Sequence, residues 1–384
     1  MVGRGRLLLA LVIVAVARAG VPAQQPSVST GASHKPPPAK SADSAAIERR
    51  LSEAVRLDPD SFDAQYQLAS FYVQQGRLPA ALPHLERACA IDPTHYASGY
   101  DLALALLEMG KMDEARAQIA RMMSAKETAE LHNLLGNVEE RAENFVGAAE
   151  EYQRAAHMAP TEEHLFDWGN NLLQLRAFEE ASQVFTAAIA RHPQSARLHI
   201  GLGIAHYSRG QYEDAIKSFG QAVDLAPSDP RPYQFLGEMY GVAPALSDEV
   251  TERLARFAKG HPRNALAQFY YAMSLWKSQP AGSRPADLRR VEALLRRAVT
   301  LDRTLAKGFL ELGILLSDQK RYKEAIQELQ YATRLEPDLA QAHYRLSQAY
   351  QRTGQHTLAA KELEIFERLS RGSSREPHQR ENGY

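Results

Sequence analysis

Cysteine is almost missing from this chain of 384 residues: Cys89 stands alone, so no disulfide can form within the chain and no cysteine set can hold a metal. A lone thiol neither argues for export nor against it. An excess of charge of one sign is missing too. The 45 Lys and Arg stand against 46 Asp and Glu, a formal net charge of -1, so no overall field draws the chain to nucleic acid or to an anionic membrane. Motifs of catalysis are also missing: there is no nucleophile signature and no glycine-rich loop to cradle a phosphate. No catalytic residue, cofactor or metal is therefore expected, and the chain reads as a non-enzyme. Hydrophobic residues at 45% and charged residues at 24% are ordinary for a folded protein, so the poverty of motifs is not a poverty of structure.

The two ends differ from the middle. Arg4 and Arg6 precede an apolar run from Leu7 to Ala17, and small residues follow at Ala17, Ala19, Val21 and Ala23. That is the three-part layout of a secretory signal peptide, expected over 1–23 with cleavage after Ala19 or Ala23. The run is too short to span a bilayer comfortably, and contact with a membrane is expected only if this segment stays uncleaved. Residues 24–42, rich in Pro, Ser, Gln and Ala, cannot bury a core and read as a linker, His34 and Lys35 beside Pro36, Pro37 and Pro38 included. The polar stretch 372–384 reads as a disordered tail.

Between these ends the chain repeats itself. Prolines recur at Pro59, Pro93, Pro160, Pro193, Pro227, Pro262 and Pro337, near 34 residues apart or twice that. In AKGFLELGILLSDQKRYKEAIQELQYATRLEPDL (306–339), Phe309, Leu312, Gly313 and Leu316 mark one face of a first helix. Ala325, Leu329 and Ala332 mark one face of a second, after a polar turn at Lys320 and Arg321. Gly313 has counterparts in Ala69, Ala103, Gly136, Gly169, Gly203, Gly237, Ala272 and Ser347, each directly after a large apolar residue such as Leu68, Leu102 or Trp168. Ala325 is matched by Ala81, Ala115, Ala148, Ala181, Ala215 and Ala359, and Ala332 by Ala88, Ala155, Ala188, Ala222 and Ala298. Small residues let helices cross closely, and a proline past the second helix ends the unit. Neither short helix can bury its stripe alone, so the units must stack.

The period, the paired Leu-Gly/Ala, the second-helix alanines and the closing Leu-x-Pro (57–59, 225–227, 335–337) resemble the tetratricopeptide repeat over roughly 85% of the chain. The resemblance implies an all-α fold over 43–371: a right-handed superhelical solenoid of antiparallel helix pairs, with nine units beginning near 62, 96, 129, 162, 196, 230, 265, 306 and 340 after a half unit at 44–59. Two units depart from the pattern. GVAPALSDE (241–249) replaces a compact turn in the sixth, where Phe257 stands in place of alanine. SQPAGSRPADLRR (278–290) lengthens the loop of the seventh, and Arg303 replaces its closing proline.

In such repeats the first helices line a concave groove that takes extended peptides. Carried over, the groove row is Tyr66, Tyr100, Asn133, Asn137, Phe166, Asn170, Ile200, Ile204 and Tyr207, then Phe235, Phe269, Tyr270, Met273, Trp276, Tyr344 and Arg345. Aromatic side chains offer wide contact at low entropy cost, although the same residues are common as scaffold in this repeat. Two groove chemistries of the family are not supported. The clamp for C-terminal carboxylates would need Lys where Asn133 stands, and Asn and Arg where Asp167 and Gly201 stand. An asparagine ladder fails on the row Gln67, Asp101, Leu134, Asp167, Gly201, Phe235. His199, His206, His132 and His343 fall on core-facing positions and read as packed histidines. The pairs Glu150-Glu151, Glu162-Glu163 and Glu179-Glu180 read as solvated faces, and Cys89 as a buried, unreactive thiol. The function expected is that of an exported scaffold or adaptor, periplasmic or extracellular, that binds other proteins and no nucleic acid. The alternative is a spacer or self-assembling array, or a membrane-tethered regulator if the leader is retained.

Overall fold

Each helix starts and stops for a local reason that recurs down the chain. Ser61, Thr128, Thr161 and Ser195 sit just before first helices, and each side chain accepts a hydrogen bond from the backbone N–H three residues on. His95 does the same through Nδ1 to the N–H of Ser98. The first helices end on a residue in the left-handed region. It is glycine at Gly76, Gly110, Gly210 and Gly354, but Glu143 (φ 61°), Arg176 (φ 59°) and Lys320 (φ 63°) hold the same place in their own repeats. That shared backbone turn reverses the chain and sends the second helix back along the first.

The structure, a computed structural model, describes residues 41–239, 246–277 and 285–373. The expected leader and almost all of the linker and tail lie outside these residues, as do most of the sixth-unit irregularity and the start of the seventh-unit loop. The described residues are helical, without a strand. The first helix, Ser41–Leu57, begins two residues inside the expected linker, and the last, His356–Ser373, runs two residues into the expected tail.

The chain divides into two bodies, Met1–Gly210 and Gln211–Tyr384. The first holds Ser41–Leu57, then four antiparallel pairs, Phe62–Gln74 with Leu78–Ile91, Tyr96–Glu108 with Met112–Ala125, Ala129–Arg141 with Phe145–Met158, and Glu162–Gln174 with Phe178–Arg191, then Ala196–Ser208. The second holds Tyr212–Leu225, Arg231–Glu238, Ser247–Gly260, Ala265–Lys277 with Pro285–Leu301, Ala306–Asp318 with Tyr322–Leu335, and Ala340–Arg352 with His356–Ser373. Within each body every helix packs on the next, and first helices of successive pairs also touch. Each is a solenoid of antiparallel helix pairs, the fold class read from the sequence.

The nine small positions are all buried, from Ala69 to Ser347, and so are the matched second-helix alanines. A Cβ built on Gly136 would meet the ring of Tyr152 at 2.6 Å, and one on Gly313 would meet Leu329 at 2.6 Å. Phe185 lies against two glycines at once, the small position Gly169 of its own unit, where a Cβ would come within 2.7 Å of its ring, and Gly201 of the next first helix, within 2.4 Å.

The two irregular units differ from expectation in instructive ways. Phe257, standing where alanine is usual, is buried and stacks on Tyr233 with ring centroids 3.8 Å apart. It faces a first helix of only eight residues, Arg231–Glu238, where the other units have thirteen. The long seventh loop is shorter than its sequence suggests, because Pro285 opens a helix of 17 residues that absorbs positions 285–290. Proline suits a first helical position, where its missing N–H would have had no partner.

The shared left-handed position makes a paired test. Gly110→Ala should cost about 1 kcal/mol, as a Cβ is disfavoured at φ 77°, and Lys320→Gly should move stability the other way by a similar amount. Urea unfolding followed by circular dichroism reads both.

Candidate partner-binding face

Because each unit repeats one helix-pair geometry, equivalent positions of successive first helices come side by side. In the first body, one such row is Tyr66, Tyr100, Asn133 and Phe166, and the adjacent row is Gln67, Asp101, Leu134, Asp167 and Gly201. Where the chemistry allows, a residue of the first row bonds across to the second row of the following pair. The Tyr66 hydroxyl donates to Asp101 Oδ2 at 2.8 Å, and Asn133 Nδ2 donates to Asp167 Oδ2 at 3.0 Å. Tyr100 faces apolar Leu134 at the corresponding place and stacks instead on Tyr96. Phe166 has a glycine, Gly201, at the corresponding place, and its ring is covered by the Arg197 guanidinium at 4.8 Å, which Glu162 holds through Nε at 2.8 Å.

Electrostatics along this face follow from burial. Asp101 is raised above the usual carboxylate range by desolvation, against the bond from Tyr66. Asp167 is pushed up to about 7, first by desolvation and then by the like charges of Glu163 and Glu140, against Asn133 and Arg197. Tyr100 is pushed up to about 12 by burial and by its acidic neighbours. Asn133 is only 6% exposed, and its Oδ1 has no hydrogen-bond partner among the described residues. Asn137 Oδ1 lies 2.8 Å from the Tyr152 hydroxyl, and Glu140, also 2.8 Å from that hydroxyl, accepts from Gln174 as well.

Several members of the expected row are packed into the interior of their own body. Ile200 and Ile204 are core residues, and Asn170 is buried. Tyr207 is half-buried. In the second body Phe235 stacks face to face on Phe219 at 4.5 Å. Phe269 at 5% exposure, Tyr270 at 7% and Met273 are packed inside, with the Tyr270 ring over Gly237. The aromatic surface that remains there is Trp276, half-buried with Lys277 Nζ 4.5 Å from its ring, and Tyr344, which is exposed and tilts toward Phe366. Arg345 is half-buried near Glu311, a carboxyl raised by desolvation whose Oε2 has no partner among the described residues. Sequence reasoning passed over Asp101, Asp167 and Glu311, which share one repeat position. The signal was there in the acidic members of the failed asparagine row.

The histidines hold a surprise. His132 is 3% exposed, as a core position should be, yet its Nδ1 lies 2.6 Å from Glu151 and its Nε2 lies 2.7 Å from Glu127. His343 is bound alike, to Glu362 at 2.6 Å and to the Pro337 carbonyl at 3.0 Å. The partner comes 19 residues later on the second helix, and His84 repeats the spacing by meeting Gln65 at 2.8 Å. His199 and His206 are half-buried, and burial pushes His199 down. Among the described residues no group of three or more His, Cys, Asp or Glu is placed to hold a metal ion, and no helix is long and apolar enough to cross a membrane. Cys89 is half-buried rather than fully buried, and desolvation pushes its thiol up, away from reactivity.

A family model described as tetratricopeptide repeat matches residues 43–96 and 166–230, a second of the same description matches 72–138, and a TPR repeat model matches 315–354. Their spans together take in just over half of the chain. Among curated proteins, the human Protein O-mannosyl-transferase TMTC3 is 24% identical over 219 residues, which is 56% of this chain and 23% of that protein. The chain thus spans about a quarter of the length of that relative. Among solved structures, the C-terminal part of a TPR repeat-containing protein from Cytophaga hutchinsonii aligns with a TM-score of 0.48 and 14% identity, covering 73% of this chain and 99% of that one. YrrB, described as a TPR protein with an unusual peptide-binding site, aligns with a TM-score of 0.40 and 20% identity, covering 49% and 97%.

Asp167 yields a stability prediction whose sign is unusual for a carboxylate. Its folded value, about 7, lies above the roughly 4 of an unfolded chain, so the folded state holds the proton more tightly. Its stabilising share is complete below about pH 4 and is lost as pH rises through about 7. Asp167→Asn, which cannot ionise, should therefore melt at a higher temperature than the parent at pH 8, with the gap closing toward pH 4. Equal melting temperatures at pH 8 would show that the buried charge costs nothing.

Proposed function

The chain belongs to the tetratricopeptide repeat family, and from that premise we propose that it is an adaptor that holds an extended segment of another protein along its first-helix face, in the cell envelope. One observation carries the binding half of this reading. The first body presents Tyr100, Asn133, Phe166 and Asp167 on neighbouring first helices, half-buried or tied to one another, so a partner would meet a face already ordered. Such preorganisation lowers the entropy that binding must overcome. In the second body Trp276 and Tyr344 offer aromatic surface of the same kind.

The test is capture of a partner. Alanine at Tyr100, Phe166 and Trp276 should abolish recovery of the partner in a crosslinking pull-down while helicity stays unchanged. Phe269 is left alone, because truncating a buried phenylalanine costs about 3–5 kcal/mol and would confuse binding with unfolding. Capture that survives the triple substitution would favour a spacer or self-assembling array.

The envelope half rests on Arg4, Arg6, the apolar run 7–17 and the small residues up to Ala23. Intact-mass measurement on protein from its native cell should find a chain beginning at Gly20 or Gln24. Retention of Met1 or Val2 would overturn cleavage and leave a tether in its place.

A further inference from the structure

The first-helix face of the first body collects hydrogen-bond acceptors and negative charge where a carboxylate-binding repeat would collect cations. Asp101, Glu140, Glu163 and Asp167 all act on this stretch: the first and third raise Tyr100, and Glu140 and Glu163 raise Asp167. Arg197 lies near, but its guanidinium is committed to Glu162 and to the ring of Phe166. Tyr66 satisfies Asp101 from within, with its hydroxyl at 2.8 Å. Among the described residues Asp167 has no such cationic or hydroxyl donor, only the neutral amide of Asn133 at 3.0 Å.

Asn133 supplies the independent observation. It is more than nine-tenths buried, its nitrogen is fixed on Asp167, and its oxygen, on the same amide carbon, has no donor among the described residues. A buried acceptor without a donor is an unfavourable arrangement that folded proteins seldom keep without a reason. Here two acceptors, the Asn133 oxygen and the carboxylate of the half-buried residue Asp167, belong to one hydrogen-bonded pair, and neither has a charged N–H donor among the described residues. A guanidinium has five N–H donors in a planar fork and no acceptor, which answers both demands with one group. A neutral donor would satisfy the amide and leave the charge, and a partner's C-terminal carboxylate would be repelled.

We propose that the Asn133–Asp167 pair is the recognition point for an arginine side chain carried on an extended segment of the partner protein, a proposal that rests on the groove reading above and gives that partner a chemistry. The guanidinium donates to the Asp167 carboxylate in place of the Asn133 nitrogen, which frees that amide to turn its oxygen to the same fork. Tyr100 and Phe166 flank the site in the same row and take the flanking backbone and aliphatic stem. Binding draws on the ionised form of Asp167, so it strengthens as pH rises.

The experiment measures fluorescence anisotropy of the full-length protein with a labelled Gly/Ser peptide carrying spaced arginines, beside peptides in which citrulline, leucine or glutamate replaces them. Citrulline keeps the shape and N–H groups of arginine and removes the charge. The arginine peptide should bind about tenfold more tightly than the citrulline peptide, and Asp167→Asn should erase that margin. Asp113→Asn, on a carboxylate whose side chain is 95% exposed, should leave it unchanged. Affinity should rise between pH 6 and pH 8, either side of about 7, in the parent and not in Asp167→Asn. Equal binding of the arginine and citrulline peptides overturns the proposal, as does equal weakening by Asp167→Asn and Asp113→Asn, which would mark a diffuse field and no site. If the leucine peptide alone binds and Phe166→Ala removes it, the groove reading stands and the arginine site falls. If no peptide binds, the arginine site falls, and the groove reading is then judged by the triple-alanine capture experiment alone.

Discussion

Everything in this fold depends on how closely two helices can cross. A glycine or alanine on the first helix leaves room for a large side chain from the second, and the contact leaves no slack. Tyr152 over Gly136, Leu329 over Gly313 and Phe185 between Gly169 and Gly201 are versions of one contact. Close-packed interiors draw much of their stability from such fits, because a gap too small for water forfeits attraction on both sides. The same crossing fixes the angle between helices, and the angle fixes which residues of successive first helices lie side by side. The first-helix face is a consequence of the packing behind it.

Much of this was legible in the residues. The small-residue row, the second-helix alanines and the closing prolines name the packing surfaces directly, because each is a steric demand that few residue types meet. What escaped was whatever depends on the neighbouring pair. Phe269 and Tyr270 look like surface aromatics when their own helix is read alone, yet Gly237 on the preceding first helix lets the Tyr270 ring sink against it. His132 looks like a lone core histidine until Glu151, 19 residues later, comes within 2.6 Å. Glu143, Arg176 and Lys320 gave no hint of a left-handed backbone, because residue type there departs from the glycine that conformation favours. Periodicity reveals a single repeat well, and couplings between repeats only once the rows are laid next to each other.

The polar couplings on the first-helix face carry a cost that the core does not explain. Burying Asp167 beside Glu140 and Glu163 opposes folding at neutral pH, and the amide of Asn133 compensates only in part. A carboxylate held this way is primed for an opposite charge. Features that weaken a free protein and suit a ligand gather at functional sites for this reason.

The bonds from Tyr66 to Asp101 and from Asn133 to Asp167 join residues 35 and 34 positions apart, and Arg141 reaches back 34 positions to the Leu107 carbonyl. Each is a tie between one pair and the next at a fixed offset, which sets a rule for how such a chain can change length over evolutionary time. A whole pair can be duplicated or lost, and every remaining tie keeps a register. One residue inserted within a first helix turns all that follows it by about 100° and carries the tied side chain off the face. The two departures seen here, at 241–249 and 278–290, both come after the first helix of their unit, and the second helices Ser247–Gly260 and Pro285–Leu301 take up their last positions. Growth of this molecule is quantised: it can lengthen its face by a helix pair, and by little less.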